Sequence, residues 1–144
     1  MDGTLATYRA VDTHGKSQLE LILQVYDGAI AAYREAAQYY QKQDFNAGYE
    51  SLEKAKRFIV HLYVTLDPER GGEIAEQLGK LYAYVVNQTN IVEATKDLSQ
   101  IDDIISVLEN LRLGWAGLKE QETSSDQKSP EKSAASRREF STSA

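Results

Sequence analysis

Between Ser17 and Glu122 apolar residues recur three and four positions apart, in four blocks divided by short polar punctuation. Ser17, with Glu20 three residues later, carries a capping-box signal that opens a first helix running to about Gln43. Its seam is Leu19, Leu23, Tyr26, Ile30, Tyr33, Ala37 and Tyr40, the spacing of a helix packed lengthwise against others. Asp44 can cap a second helix with the seam Tyr49, Leu52, Ala55, Ile59, Leu62 and Leu66, stopped at DPERGG by Pro68 and the Gly71 and Gly72 pair. A third helix, from about Glu73, presents Ile74, Leu78, Leu81, Val85 and Val92, with Gln88 as a polar interruption that needs a partner if buried. The fourth opens at Ser99, with Asp102 three residues on, and presents Ile101, Ile104, Leu108, Leu111, Trp115 and Leu118. Four such helices with short loops predict an all-α chain, an antiparallel up-down four-helix bundle over residues 17–122.

The flanks read differently. Residues 1–16 hold only Leu5, Tyr8 and Val11 as large apolar residues after the initial Met, and are either a frayed end or an arm docked on the bundle. Residues 123–144 are rich in Ser, Lys and Glu with Phe140 as the one large apolar side chain, so they bury too little to offset their ordering entropy and are expected to form a disordered tail. The tail holds four basic and three acidic residues, which leaves about −7 of the net −6 on the rest of the chain. That field repels phosphate backbones and argues against nucleic acid as a partner. No signal-peptide pattern or membrane-length apolar run is present, so a cytoplasmic protein without membrane insertion is expected. Cysteine is absent, which removes disulfides, thiolate metal sites and thiol nucleophiles.

Candidate chemistry narrows further. A di-iron bundle needs Glu-x-x-His pairs, but Phe58 stands three residues before His61 and Val11 three before His14. His61 borders the second seam as a boundary histidine, and the paired glycines lack the companions of a phosphate loop. No serine has a paired histidine in a plausible context. The expectation is a protein that is not an enzyme and uses no metal or cofactor.

What remains is surplus apolar surface. The first helix has a second stripe, Leu21, Val25, Ala29, Ala32, Ala36 and Tyr39, offset from its seam. Phe58, Val60, Tyr63 and Val64 add to the second helix, and Tyr82, Tyr84, Val86 and Ile91 to the third. Nine Tyr against three Phe favours surfaces with an apolar body and a wet tip. Two readings stay open: boundary residues of a tightly packed bundle, or a groove that takes amphipathic partner helices. Gly28 sits mid-helix at a cost of about 1 kcal/mol relative to Ala, and either close helix packing or partner contact accounts for it.

These pieces resemble the FliS family of flagellin export chaperones. Leu19, Leu21, Leu23, Tyr26, Asp27, Gly28, Ala29 and Ile30 are similar to its Leu-rich run into Tyr-Asn/Asp-Gly. Ala55, Ile59, Leu62, Thr65, Leu66 and Asp67 resemble its second-helix ending. Leu81, Tyr82 and Tyr84 resemble L-Y-x-Y, and Leu111, Arg112 and Trp115 resemble L-R-x-x-W. The chain departs where many relatives have R-L-x-x-A-N, with Gln88, Thr89, Val92 and Glu93 instead. The resemblance implies a chaperone that binds the C-terminal region of flagellin, prevents early polymerisation and presents it to the flagellar type III export gate. It also implies an N-terminal arm, with Leu5 and Tyr8, that covers bundle surface and takes part in gate docking. The partner-binding residues expected are Leu5, Tyr8, Leu21, Val25, Ala29, Ala32, Tyr82 and Tyr84. The alternative is a non-catalytic helical adaptor or self-associating bundle, oligomeric state open.

Overall fold

A computed structural model of the chain describes residues 17–127, with side chains to residue 118. Four helices fill that span: α1 (Gln18–Gln41), α2 (Phe45–Val64), α3 (Pro68–Thr95) and α4 (Leu98–Gln127). Each packs on its neighbours in sequence and α4 closes back on α1, so the four form the expected up-down bundle. The expected arm and nearly all of the tail lie outside the described residues, while α4 continues past Glu122 to Gln127.

The helix ends follow local chemistry. Ser17 caps α1 by accepting from Glu20 N–H at 3.2 Å, and Asp44 caps α2 by accepting from Ala47 N–H at 3.3 Å. The DPERGG segment is not the helix stop the sequence suggests. Asp67 caps α3 by accepting from Arg70 N–H, and Pro68, with its preset φ, starts the helix. The interruption falls on Gly72 alone, at φ 55° and ψ −129°, where a side chain would be strained. α4 is not opened by Ser99 either. Lys96, in the left-handed region, ends α3, and the next residue, Asp97, accepts from both the N–H and the hydroxyl of Ser99.

The expected seams of α1 and α4 face the core, with Leu19, Leu23, Tyr26, Ile30, Tyr33, Tyr40, Ile101, Ile104, Leu108 and Trp115 buried. The α3 seam keeps Val85 and Val92 but shifts by one position at Ile74, Leu81 and Gln88. Ala75, Tyr82, Val85, Thr89 and Val92 are buried, while Leu81 is exposed and Gln88 only half-buried. Hydroxyl pairing explains the shift. Tyr82 Oη lies 2.6 Å from Tyr26 Oη, and Tyr33 Oη lies 2.6 Å from Thr89 Oγ1, both across the core between α1 and α3. In α2, Tyr49 is exposed and not part of the seam.

Candidate partner-binding groove

α1 and α2 approach closely through two glycine notches. A Cβ on Gly28 would stand 2.7 Å from the Phe58 ring, and one on Gly48 would run into the Tyr40 ring. Each helix therefore offers a glycine to a ring of the other. This packing absorbs the second stripe of α1: Ala29, Ala32 and Ala36 are buried in the core. Ala29 and Ala32 had been expected to face a partner, and that placement is corrected, because α1 contacts helices on two sides and buries a wide face. Tyr82 is corrected likewise, since it is 1% exposed and its hydroxyl pairs with Tyr26. Of the other expected residues, Leu21 and Val25 are half-buried and Tyr84 is half-exposed, whereas Leu5 and Tyr8 lie outside the described residues.

The tyrosine excess also divides. Tyr26, Tyr33, Tyr40 and Tyr82 are core residues, while Tyr49, Tyr63 and Tyr84 are exposed, so the phenols serve interior and surface alike. Trp115 Nε1–H donates to Tyr26 Oη at 3.1 Å, tying α4 into the Tyr26 and Tyr82 pair. Thr89 donates to Val85 C=O at 2.7 Å, so its contact with Tyr33 requires Tyr33 to be the donor. Burial pushes the Tyr33 phenol well above its usual pKa, opposed by the Thr89 hydrogen bond.

On the other flank α2 and α3 leave an open apolar groove. Val60, Tyr63 and Val64 of α2 are exposed along it, with Tyr63 at 52% and Val64 at 67%, whereas Leu81 and Tyr84 of α3, though exposed, line neither of its clefts. A cleft of about 900 Å³ lies between Tyr63, Val64 and Leu66 on one side and Ala75, Gly79 and Ala83 on the other. A second of about 410 Å³ continues it past Val60, Val86, Asn87 and Asn90, sharing Tyr63 and Ala83 with the first. Small residues of α3 make the floor: a Cβ on Gly79 would meet Tyr63 and Leu66 only at an ordinary 3.6 Å. The sequence had marked Val60, Tyr63 and Val64 as surplus, but nothing in the spacing of Gly79 and Ala83 showed that they open a floor beneath them.

The α1/α4 flank is polar by contrast. Arg112 Nε donates to Asp27 Oδ1 at 2.6 Å and its Nη2 reaches Asp27 Oδ2 at 3.3 Å, while Arg34 pairs with Glu109. The hydrogen bond to Asp27 holds Arg112 above its usual pKa. Among the described residues no group of His, Asp and Glu is placed to hold a metal ion, and no helix is long and apolar enough to cross a membrane.

Comparison with known proteins agrees with this architecture. Residues 1–122 match the family described as "Flagellar protein FliS". The chain is 28% identical over 119 residues to the flagellar secretion chaperone FliS of Vibrio cholerae, covering 80% of this chain and 88% of that protein. It is 33% identical over 97 residues to the same-named protein of Salmonella typhimurium, covering 67% and 72%. A crystal structure described as a flagellar chaperone from bacteria superposes with a TM-score of 0.69 at 25% identity, covering 78% of this chain and 92% of that one. The resemblance carried by the Tyr-Asp-Gly run, the L-Y-x-Y element and L-R-x-x-W thus has its counterpart across the whole bundle, and the chain belongs to the FliS family.

Proposed function

We propose that this chain is a cytoplasmic flagellar export chaperone whose client is the C-terminal, helix-forming region of flagellin. It holds that region back from polymerising and delivers it to the flagellar type III export gate. The observation that carries the reading is the continuous apolar groove between α2 and α3, on a bundle whose relatives are named flagellar secretion chaperones. An amphipathic helix lays its apolar face in such a groove. A client that orders on binding buries on the order of 1,000 to 3,000 Å², with several kcal/mol spent on ordering. Covering the client's apolar face removes the surface that would pack against other subunits, so inhibition of assembly follows from competition.

The client surface is assigned to Val60, Tyr63 and Val64 of α2 and Ala83 and Val86 of α3, which line the groove, with Leu21, Val25 and Tyr84 as contacts outside the two clefts. Leu5 and Tyr8 belong to an arm that competes for apolar surface at the millimolar-scale effective concentration of a short tether. Mixing the purified chain with a flagellin C-terminal peptide tests the reading: a stable complex forms and the peptide gains helicity. Self-association of the chain through Tyr63 and Val64, with no peptide bound, would favour the adaptor alternative. Deleting residues 1–16 alters client or gate binding while leaving the bundle folded, and unchanged affinity for both would exclude an active arm.

A further inference from the structure

Where the α2/α3 groove reaches Asn90 it runs into a cluster of charges. Lys56 Nζ lies 2.5 Å from Glu53 Oε2, 3.1 Å from Glu93 Oε1 and 2.8 Å from Asn90 Oδ1. Two carboxylates, one from each wall of the groove, therefore share a single ammonium. The remaining oxygen of Glu93, Oε2, is sealed from solvent and meets no donor. A charged oxygen left bare in that position is costly. A proton shared between Glu93 and Glu53 gives it a partner and leaves the cluster without net charge.

We infer that Glu53 and Glu93 hold one proton between them and that this proton couples client binding in the groove to pH, an inference that rests on the proposed client function. A helix laid along the groove withdraws water from the Asn90 end. Desolvation favours the neutral cluster over the charged one. The complex then holds the proton more tightly than the free chain, so affinity rises as pH falls. The free protein already leans that way: burial pushes Glu93 up to about 7, the Glu53 contact acts in the same direction, and Lys56 opposes them. Glu53 is lowered by its contacts with Glu93 and Lys56, as expected for the member of the pair that keeps the charge.

The groups that act on Glu93 come from two neighbouring helices. α2 supplies Glu53 and Lys56, with Arg57 acting on Glu53. α1 supplies the phenols of Tyr33 and Tyr40, which Glu93 raises further beyond their burial. Among the described residues α4 supplies no ionisable group to this set. Desolvation acts downward on Lys56, but the two carboxylates more than offset it and keep the ammonium charged.

The test titrates the full chain with a synthetic peptide of the C-terminal flagellin helices at a series of pH values from pH 6 to pH 8.5, read by fluorescence anisotropy. Wild type binds up to about tenfold more tightly at pH 6, the change expected for a one-unit shift on binding. Glu93→Gln, uncharged throughout, binds equally at every pH. Wild-type affinity that does not change with pH, or a pH dependence that persists in Glu93→Gln, overturns the inference and leaves the client reading standing. A peptide that binds at no pH in the series overturns the client reading and the coupling with it. Should Glu93→Gln fail to fold, Glu53→Gln removes the proton-sharing partner and must move the midpoint of the pH dependence downward; an unmoved midpoint overturns the inference.

Discussion

The Tyr26 hydroxyl meets the Tyr82 hydroxyl at 2.6 Å, 56 residues away, and the Tyr33 hydroxyl meets Thr89 at the same distance and the same separation. Equal separation means that α1 and α3 run parallel across the core in a fixed register, two turns between rungs. These rungs are polar, yet they lie where a bundle would otherwise be greasy. They specify which residues of the two helices oppose each other.

Breaking the upper rung has an asymmetric cost. Tyr33→Phe removes a donor but leaves Thr89 bonded to the Val85 carbonyl, so it costs about 1 kcal/mol. Thr89→Val leaves a buried phenol without its acceptor and costs about 1 to 3 kcal/mol. The double variant costs less than the sum. Urea denaturation of the four proteins closes the cycle; additive losses would show that the rung does not couple the helices.

Gly28 is settled by the Phe58 ring. Gly28→Ala gains about 1 kcal/mol of helix propensity but drives a methyl into that ring, an overpacking cost of about 1 to 3 kcal/mol. A net loss of stability is expected in thermal unfolding. Gly28→Ala combined with Phe58→Leu recovers it, and a stabilised single variant would show that the ring moves aside freely.

Two substitutions separate core from client surface. Ala32→Arg forces a charge into a position 2% exposed and unfolds or severely destabilises the bundle, seen as lost helicity. Tyr63→Glu, at a groove position 52% exposed, leaves the melt nearly unchanged and weakens binding of a flagellin C-terminal peptide. Full peptide affinity in Tyr63→Glu would remove that residue from the client surface.

The Glu53, Lys56 and Glu93 cluster gives the free protein its own pH signature. The folded state raises Glu93 to about 7 from an ordinary carboxylate value, so it binds a proton that the unfolded chain releases. That contribution is complete below about pH 4 and is lost as pH rises through the folded value. Stability should fall from pH 6 to pH 8, and Glu93→Gln should flatten the fall. Glu53, lowered in the fold, contributes in the opposite sense, with a loss confined to the acid range. Thermal melts across this range provide the measurement.

Periodicity carried the bundle because amphipathic spacing is a property of each helix alone. Leu19, Tyr26, Ile59 and Leu108 are buried where their spacing puts them. The site was less legible, since whether Ala29 or Tyr84 is open depends on which helix stands beside it. Small residues mark close approach but not the approaching face, which is why Ala29 and Ala32 read as partner surface. Thr89 and Glu93 stand where the chain departs from the pattern it otherwise resembles. Their roles, in a rung and in a proton-sharing pair, needed Tyr33 and Lys56 on other helices to become visible.

The reciprocal notches on α1 and α2 also bear on how the chain finds its register. Phe58 seats on Gly28 midway along α1, and Tyr40 on Gly48 beside the turn. A slip of α2 along α1 by one turn, either way, brings a side chain bearing a Cβ under both rings at once. The first hairpin thus works like a key with two cuts, which turns in one position only.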